Sequence, residues 1–244
     1  MPKFFIKKDS ISNSKLLLTG ADINHIIKVL RKNVGDILEA SDGEGCSYRV
    51  EITDVFTDKI IANILEKKVE KESNISVTLY QSIPKSDKMD IIIQKCTELG
   101  ISKIVPFTSL RTVVIIDSKN EDKKLQRWRK IGQEACKQCK RSTIPQISSI
   151  YTFEKLLKDI KMHDLCMIAY EKETLSIKKV LKDNSDAKSI AIIVGPEGGF
   201  EEQEIEQARS LGAKSVTLGE RILRTETAGM ATLCIIMYEL EDVL

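Results

Sequence analysis

The chain reads IAIIVGPEGGF from Ile190 to Phe200, and an acidic segment with helical character follows it. The apolar run Ile190–Val194 predicts a buried strand. The turn after it contains three glycines, which permit unusual backbone angles and let a ligand approach the backbone closely. Ligands of α/β sheets bind at the carboxyl ends of strands, so this turn is a candidate site. An ordinary structural turn is the alternative.

The acidic residues beside this turn indicate the kind of ligand. Four carboxylates crowd the turn and the first helical turn, those of Glu197, Glu201, Glu202 and Glu204. A phosphate site offers bare backbone amides or a lysine at such a position, so these charges disfavour ATP, GTP and NAD. The sequence therefore favours a neutral or cationic ligand without phosphate.

A second loop, Val216–Gly229, reads VTLGERILRTETAG and also joins a predicted strand to a predicted helix. It mixes the apolar residues Leu218, Ile222 and Leu223 with arginines, glutamates and threonines. Apolar walls around a few polar groups are typical of a small-molecule site. A local ion pair between Arg224 and Glu226 is the alternative for these two residues.

Strands and helices alternate on either side of the two loops, which predicts an α/β domain over residues 73–244. The predicted strands are Val77–Ile83, Ile104–Phe107, Leu165–Ala169, Ile190–Val194 and Val216–Leu218. The predicted helices are one capped by Ser86 and ended by Gly100, one from Asn120 to about Lys140, Glu201–Leu211, and one opening at Thr225 or Thr227.

Residues 1–72 have a different pattern that predicts a small β-barrel with one helix. The predicted strands are Phe4–Ile6, Leu16–Leu18, Asp36–Ser41, Ser47–Phe56 and Lys59–Leu65, and Asp42–Gly45 is a hairpin turn. Asp22 is the predicted N-cap of the helix. The charged segment Glu66–Ser73 is the predicted boundary, which gives the domains 1–72 and 73–244.

Composition excludes several classes of protein. The chain has 244 residues, 42% of them hydrophobic, with only 5 Pro and 12 Gly, so it is neither disordered nor collagen-like. We expect no membrane span, no signal peptide and no disulfide framework, and hence a cytoplasmic protein. Cys136 and Cys139 form one C-x-x-C without a second pair, so we expect no metal site.

The net charge of +2 conceals a strong asymmetry along the chain. Residues 1–72 are neutral, residues 73–150 carry +7 and residues 151–244 carry −5. The basic excess lies on or beside one predicted helix, at Lys119, Lys123, Lys124, Arg127, Arg129, Lys130, Lys137, Lys140 and Arg141. Such a cluster can neutralise the phosphates of a nucleic acid, and a solvated helix face is the alternative.

Together the two loops resemble the ribosomal RNA small subunit methyltransferase E family, within the SPOUT class of S-adenosylmethionine-dependent RNA methyltransferases. The segments that carry the resemblance are Gly195–Phe200, Leu218–Ala228, Ile93–Gly100, Arg127–Ala135 and His25–Asp36. The resemblance implies a PUA-like β-barrel followed by an α/β domain with a deep trefoil knot. It also implies a homodimer that methylates uracil N3 in 16S rRNA, with free rRNA or the small ribosomal subunit as partner.

The resemblance also implies roles for particular residues. S-adenosylmethionine would bind Ala169, Tyr170, Val194, Gly195, Pro196, Glu197, Gly198, Gly199, Leu218, Gly219, Ile222, Leu223, Arg224, Thr225 and Ala228. The cofactor has a cationic sulfonium and no phosphate, in agreement with the acidic turn. We expect Arg224 to stabilise the uracil oxygens and Glu197 or Glu226 to act as base. RNA would contact Lys28, Arg31, Lys32, Arg111, Arg127 and Arg141.

Three other functions remain open at this stage. The chain could methylate another RNA atom, such as a ribose 2′-OH, although the barrel and the second loop argue against it. It could be a non-catalytic RNA-binding or ribosome-assembly factor, or an enzyme acting on a metabolite that lacks phosphate. On the last helix, Met230, Cys234, Met237 and Tyr238 are candidates for a dimer seam, with core packing as the alternative.

Overall fold

A computed structural model describes residues 3–20, 22–70 and 73–241, without the side chain of Ser118. The chain forms two compact units, residues 1–72 together with Cys136–Ile144, and Ser73–Ala135 together with Pro145–Leu244. The predicted boundary residue Glu72 lies outside the described residues, and the division into domains 1–72 and 73–244 stays a prediction. The predicted division cuts the chain once, whereas the observed first unit also includes Cys136–Ile144 from the later part of the chain.

The first unit is built on a six-stranded sheet in the order β1-β4-β5-β6-β3-β2. Its strands are β1 (Lys3–Phe5), β2 (Ile11–Ser12), β3 (Lys15–Thr19), β4 (Ile37–Ser41), β5 (Cys46–Val55) and β6 (Lys59–Val69). A short helical segment begins as α1 (Asp22–Asn24) and continues as a π-helix over His25–Val29. Alternating residues of the strands, such as Leu16, Leu18, Val50 and Ile52, supply its core.

Two details of the first unit differ from the sequence prediction. Strand β6 runs to Val69, so half of the charged segment is a strand, because the antiparallel ladder with β5 continues to the pair Cys46–Val69. The charged side chains of Glu66, Lys67 and Lys68 are exposed, and the ammonium of Lys67 lies 5.9 Å from the ring centre of Tyr48. Asp22 is inside the helix and pairs with Lys137 at 3.0 Å, so its predicted role as N-cap is wrong.

The second unit is an α/β domain with an all-parallel sheet in the order β10-β8-β7-β12-β11-β13, in which β9 also pairs with β8. This confirms the predicted fold class. The strands are β7 (Ser76–Ser82), β8 (Lys103–Thr108), β9 (Gln146–Ile147), β10 (Tyr151–Thr152), β11 (Leu165–Ala169), β12 (Ser189–Val194) and β13 (Lys214–Val216). The helices are α2 (Lys88–Glu98), α3 (Ser118–Cys139), α4 (Phe153–Asp159), α5 (Ile177–Lys182), α6 (Glu202–Ser210) and α7 (Thr225–Leu240).

Strand β12 shows why the sheet is central to this unit. Ile190 and Ile192 pack in one hydrophobic core, whereas Ala191 and Ile193 pack in a second core. Successive side chains of a strand point to opposite faces, so a continuous apolar run is the sequence of a strand that is covered on both sides. Trp128 on the basic helix α3 belongs to the first core and is 4% exposed, so it is a packing residue.

Several boundaries in the second unit also differ from the prediction. Strand β13 ends at Val216, because the amide of Thr217 bonds to the carbonyl of Leu175 and leaves Leu218 in the loop. Ser86 is not the cap of α2, which begins at Lys88. The pattern also missed α4 and α5, which are too short to establish a helical period. The deep trefoil knot stays a prediction.

Candidate functional site

A cavity of about 490 Å³ lies at the carboxyl ends of three neighbouring strands, β12, β11 and β13. Parallel strands end at the same edge of a sheet, so three segments that are distant in sequence meet there. The lining residues are Lys88, Ala169, Tyr170, Glu171, Val194, Gly195, Pro196, Glu197, Gly198, Gly199, Phe200, Thr217, Leu218, Gly219, Glu220, Arg221, Ile222, Leu223, Arg224, Thr225 and Ala228.

Every residue predicted to bind the cofactor lines this cavity. The prediction located the two loops because their glycines and apolar residues are local signals. The predicted set omitted six lining residues, Lys88, Glu171, Phe200, Thr217, Glu220 and Arg221, and of these Lys88 is far in sequence from both loops. That these lining residues bind a cofactor stays a prediction, and the cavity indicates where the cofactor would lie.

The glycine-rich turn is rigid because it packs against an aromatic cluster. A Cβ atom added to Gly195 would lie 2.9 Å from the ring of Phe200. That ring is 4% exposed, stacks on Phe107 with 6.4 Å between centroids, and lies 6.1 Å from Phe153. Gly199 has a φ of +70°, a conformation that favours glycine. The backbone of the turn therefore reaches the cavity in a fixed position.

A buried hydrogen-bond chain joins this turn to the start of α7. Nε2 of Gln81 donates to Oγ1 of Thr225 at 2.8 Å, and that hydroxyl donates to the carbonyl of Gly195 at 2.6 Å. Gln81 is fully buried on strand β7. A buried donor or acceptor is costly to leave unpaired, so these hydrogen bonds keep the two loops in a fixed position relative to each other. The sequence signal that could have indicated this contact is a glutamine within a predicted buried strand.

The carboxylates beside the turn are mostly engaged in contacts of their own. Glu201 and Glu204 form a capping box at the start of α6, and Glu204 is 2% exposed. Nε of Arg111 donates to Oε1 of Glu201 at 2.8 Å, and its NH1 donates to the carbonyl of Gly198 at 2.9 Å. Of the four carboxylates that the sequence places near the turn, only that of Glu197 lines the cavity.

Lys88 forms an ion pair with each of the two predicted bases. Its Nζ lies 3.1 Å from Oε1 of Glu197 and 3.3 Å from Oε2 of Glu226. Burial raises the pKa of Glu197, but hydrogen bonds from its own amide, from Lys88 and from the amide of Lys85 outweigh burial and leave that pKa below its usual range. Glu226 is not among the residues that line the cavity, although it contacts Lys88, which does line it.

Arg224 immediately precedes α7 and lines the cavity. Its side chain is exposed, and among the described residues its guanidinium has neither a hydrogen bond nor an ion pair with protein. The predicted local ion pair with Glu226 is therefore absent from the described contacts, because Glu226 pairs with Lys88. An unpaired guanidinium at a cavity is available to an anionic ligand group.

The residues predicted to contact RNA occupy both units. Lys28 and Arg31 are exposed in the first unit, and Arg31 has a φ of +52°. Lys32 pairs with Asp36 at 3.2 Å. In the second unit Arg127 pairs with Asp87 and Asp90, in addition to the contacts of Arg111 with the glycine-rich turn. Arg141 is half-buried in the stretch that groups with the first unit. Their contact with RNA stays a prediction.

Two further observations concern all of the described residues, in both units. Among the described residues, no cluster of three or more His, Cys, Asp or Glu side chains is suited to hold a metal ion. Within the same part of the chain, no helix has the length and apolar character needed to cross a membrane.

Comparison with known proteins relates both units to RNA methyltransferases. Residues 71–237 match the family model of the RNA methyltransferase domain, and residues 18–65 match that of the RNA methyltransferase PUA domain. The chain is 35% identical to the ribosomal RNA small subunit methyltransferase E of Bacillus subtilis, over 99% of this chain and 98% of that protein. It is also 35% identical to the protein of that name from Mesomycoplasma hyopneumoniae, over 96% of this chain and 99% of the relative.

A solved structure extends the similarity to the whole fold. The ribosomal RNA small subunit methyltransferase E of Neisseria gonorrhoeae, bound to S-adenosyl methionine, superposes with a TM-score of 0.88. It is 32% identical in sequence, and the similarity covers all of both chains. The SPOUT-type fold with a PUA-like first unit is therefore confirmed.

Proposed function

The chain belongs to the ribosomal RNA small subunit methyltransferase E family, and from this premise we propose that it methylates uracil N3 of one uridine in 16S rRNA with S-adenosylmethionine. An S-adenosylmethionine-dependent rRNA methyltransferase is the coarser statement, which the family supports directly. The finer statement, the N3 atom of uracil, is what the resemblance to this family implies, and the site is compatible with it. The observation that carries the proposal is the cavity at the ends of β11, β12 and β13.

The residues of this cavity fit S-adenosylmethionine. Its volume is in the range of small-molecule sites, and apolar side chains such as Val194, Leu218 and Leu223 alternate with the backbone of the glycine-rich turn. The carboxylates of Glu171, Glu197 and Glu220 suit a ligand with positive charge. Lys88 in the lining is engaged by two carboxylates, which leaves Arg221 and Arg224 as the lining cations that can meet an anionic group of a ligand. When bound, S-adenosylmethionine supplies an electrophilic methyl group on a cationic sulfonium.

Uracil N3 carries a proton at neutral pH and must lose it to become a good nucleophile. The negative charge that develops spreads onto the two carbonyl oxygens of the ring. We propose that the guanidinium of Arg224 stabilises this charge, because it lines the cavity and has no described protein partner. A guanidinium that donates to one of these oxygens leaves N3 open to the methyl group.

Glu226 is the better of the two candidates for the base that takes the proton. Several donors hold the Glu197 carboxylate and keep its pKa low, which weakens it as a base. The described partner of Glu226 is the ammonium of Lys88, 3.3 Å from its Oε2, and Glu226 lies beside the cavity through this lysine without lining it. In this proposal the carboxylate of Glu226 takes the proton of N3, which leaves N3 nucleophilic. Bound S-adenosylmethionine would supply the methyl group, with its carbon–sulfur bond breaking and S-adenosylhomocysteine as the leaving group.

RNA binding and assembly complete the proposal. Exposed Lys28 and Arg31 would bind phosphates and position the rRNA without reading its sequence.

We propose a homodimer that uses α7, where Tyr238 is 77% exposed and Cys234 is also exposed, whereas Met237 is buried in the core. A single species of monomer mass in sedimentation velocity at micromolar concentration would contradict the dimer. The cytoplasm, where ribosomal subunits are assembled, is the proposed location.

The decisive experiment compares rRNA from a deletion strain with rRNA from its parent by mass spectrometry. We expect one uridine to lose a methyl group, and the purified protein with S-adenosylmethionine to restore it on small subunits or on naked 16S rRNA. Chromatography of the digested nucleosides against standards distinguishes N3-methyluridine from 2′-O-methyluridine and 5-methyluridine. Recovery of 2′-O-methyluridine would overturn the N3 assignment, and no change in methylation would overturn the enzymatic function.

A further inference from the structure

Lys88 joins three elements of the site that are far apart in sequence. It lies on the first turn of α2, Glu197 belongs to the turn after β12, and Glu226 lies on the first turn of α7. The two carboxylates share one ammonium, at 3.1 Å and 3.3 Å from its Nζ. All three side chains are partly shielded from water, with 28%, 30% and 16% of their surfaces exposed.

The arrangement matters because the two carboxylates would otherwise be neighbours without a counter-charge. When two carboxylates share a site, the pKa of one of them rises strongly, because a second negative charge nearby is unfavourable. An ammonium between them removes that penalty and holds both oxygens in place. The ion pair with Glu197 is also the main cause that raises the pKa of Lys88, so the lysine stays charged throughout the neutral range.

The other charged groups at the cavity do not replace this ammonium. Glu171 and Glu220 add negative charge to the lining, and Arg221 and Arg224 add positive charge. The described contacts of Glu197 and Glu226 with basic side chains are those with Lys88 alone. The amide of Lys85 donates to Glu197 at 3.1 Å but carries no charge.

We propose that Lys88 is a positioning residue of the methyl-transfer site, whose ammonium offsets the charge of the two carboxylates and holds Glu226 aligned beside Glu197. The inference rests on the proposed function, since it concerns the base of that reaction. Without Lys88, the two neighbouring carboxylates would repel each other, which favours one proton shared between them and a base that is partly occupied.

The test is the pH dependence of kcat for Lys88→Met, measured with saturating S-adenosylmethionine and rRNA. We expect the acidic limb of the profile to move to higher pH by about 1 to 3 units, so that kcat falls at neutral pH by about tenfold or more and recovers at alkaline pH. Lys88→Arg keeps the charge and should keep the acidic limb near its wild-type position. Glu197→Gln in the Lys88→Met background removes the competing carboxylate and should move the limb back.

A matched control and a measurement without turnover complete the design. Lys95→Met makes the same chemical change on the same helix, at an exposed lysine that pairs with Glu98, and should leave the profile unchanged. Because Lys88 lines the cavity, calorimetry measures the affinity of Lys88→Met for S-adenosylmethionine, and the kcat profile is recorded at a cofactor concentration well above the Kd so measured. If Lys88→Met is poorly folded, Lys88→Gln carries the same comparison.

The outcomes separate the two proposals. If the wild-type protein transfers no methyl group to rRNA, the proposed function fails. If the wild type is active and Lys88→Met keeps its acidic limb, the role of Lys88 is wrong. A uniform loss of kcat at every pH that Glu197→Gln does not reverse would also overturn this inference, because it would mean a purely structural role.

Discussion

Adding one methyl group at Gly195 tests whether the glycine-rich turn is held in place by packing. In Gly195→Ala the new Cβ would lie 2.9 Å from the Phe200 ring, about 0.5 Å inside the shortest ordinary contact of 3.4 Å. Phe200 has no room to retreat, because Phe107 and Phe153 pack against it. Overpacking of this kind costs about 1 to 3 kcal/mol.

The assay is urea unfolding followed by fluorescence of Trp128, the single tryptophan, which is buried in the same unit. With an m-value of about 2 kcal/mol/M, the expected loss lowers the unfolding midpoint by about 0.5 to 1.5 M. The turn also lines the cavity, so we expect the Kd for S-adenosylmethionine to rise by about tenfold, which corresponds to ~1.4 kcal/mol.

Gly132→Ala is the matched control, since it adds the same group inside helix α3. Its Cβ would meet Ile147 at 3.5 Å, an ordinary contact, and alanine is favoured over glycine in a helix by about 1 kcal/mol. We therefore expect the midpoint of this variant to stay or rise. A Gly195→Ala protein with the midpoint and cofactor affinity of wild type would refute the packing argument.

Three other outcomes are expected. Arg224→Ala should lower kcat at saturating cofactor by about a hundredfold and change the affinity for S-adenosylmethionine much less, with wild-type turnover as the contradicting result. Lys28→Glu with Arg31→Glu should raise the Kd for rRNA and reduce the slope of log K against log salt by about 1 to 2, measured by filter binding, and unchanged binding would exclude this surface. Burial and the charge of Lys103 lower the pKa of His163 in the folded protein, so the unfolded chain binds the proton more readily. We therefore expect the urea concentration at the unfolding midpoint to decrease as the pH is lowered below about 6.5, the ordinary pKa of histidine. His163→Gln should weaken this pH dependence.

The fold class and both loops were predictable because their signals are local. The apolar run of β12 is buried on both faces, the turn after it contains the glycines that the packing of Phe200 requires, and α7 begins at Thr225. Even so, the charge argument for the ligand was only partly right. Sequence proximity brings Glu201 and Glu204 near the turn, but the capping box and Arg111 use them.

The sequence by itself determined the alternating strands and helices and the two loops, because apolar period and glycine content act over a few residues. Tertiary structure alone decided the partners of those loops. Gln81 reaches Thr225 across 144 positions, and Lys88 reaches Glu197 across 109. Such contacts depend on which strands are neighbours in the sheet, and strand order is not encoded in any local pattern. The order β7-β12-β11-β13 therefore converts separate turns into one charged cavity.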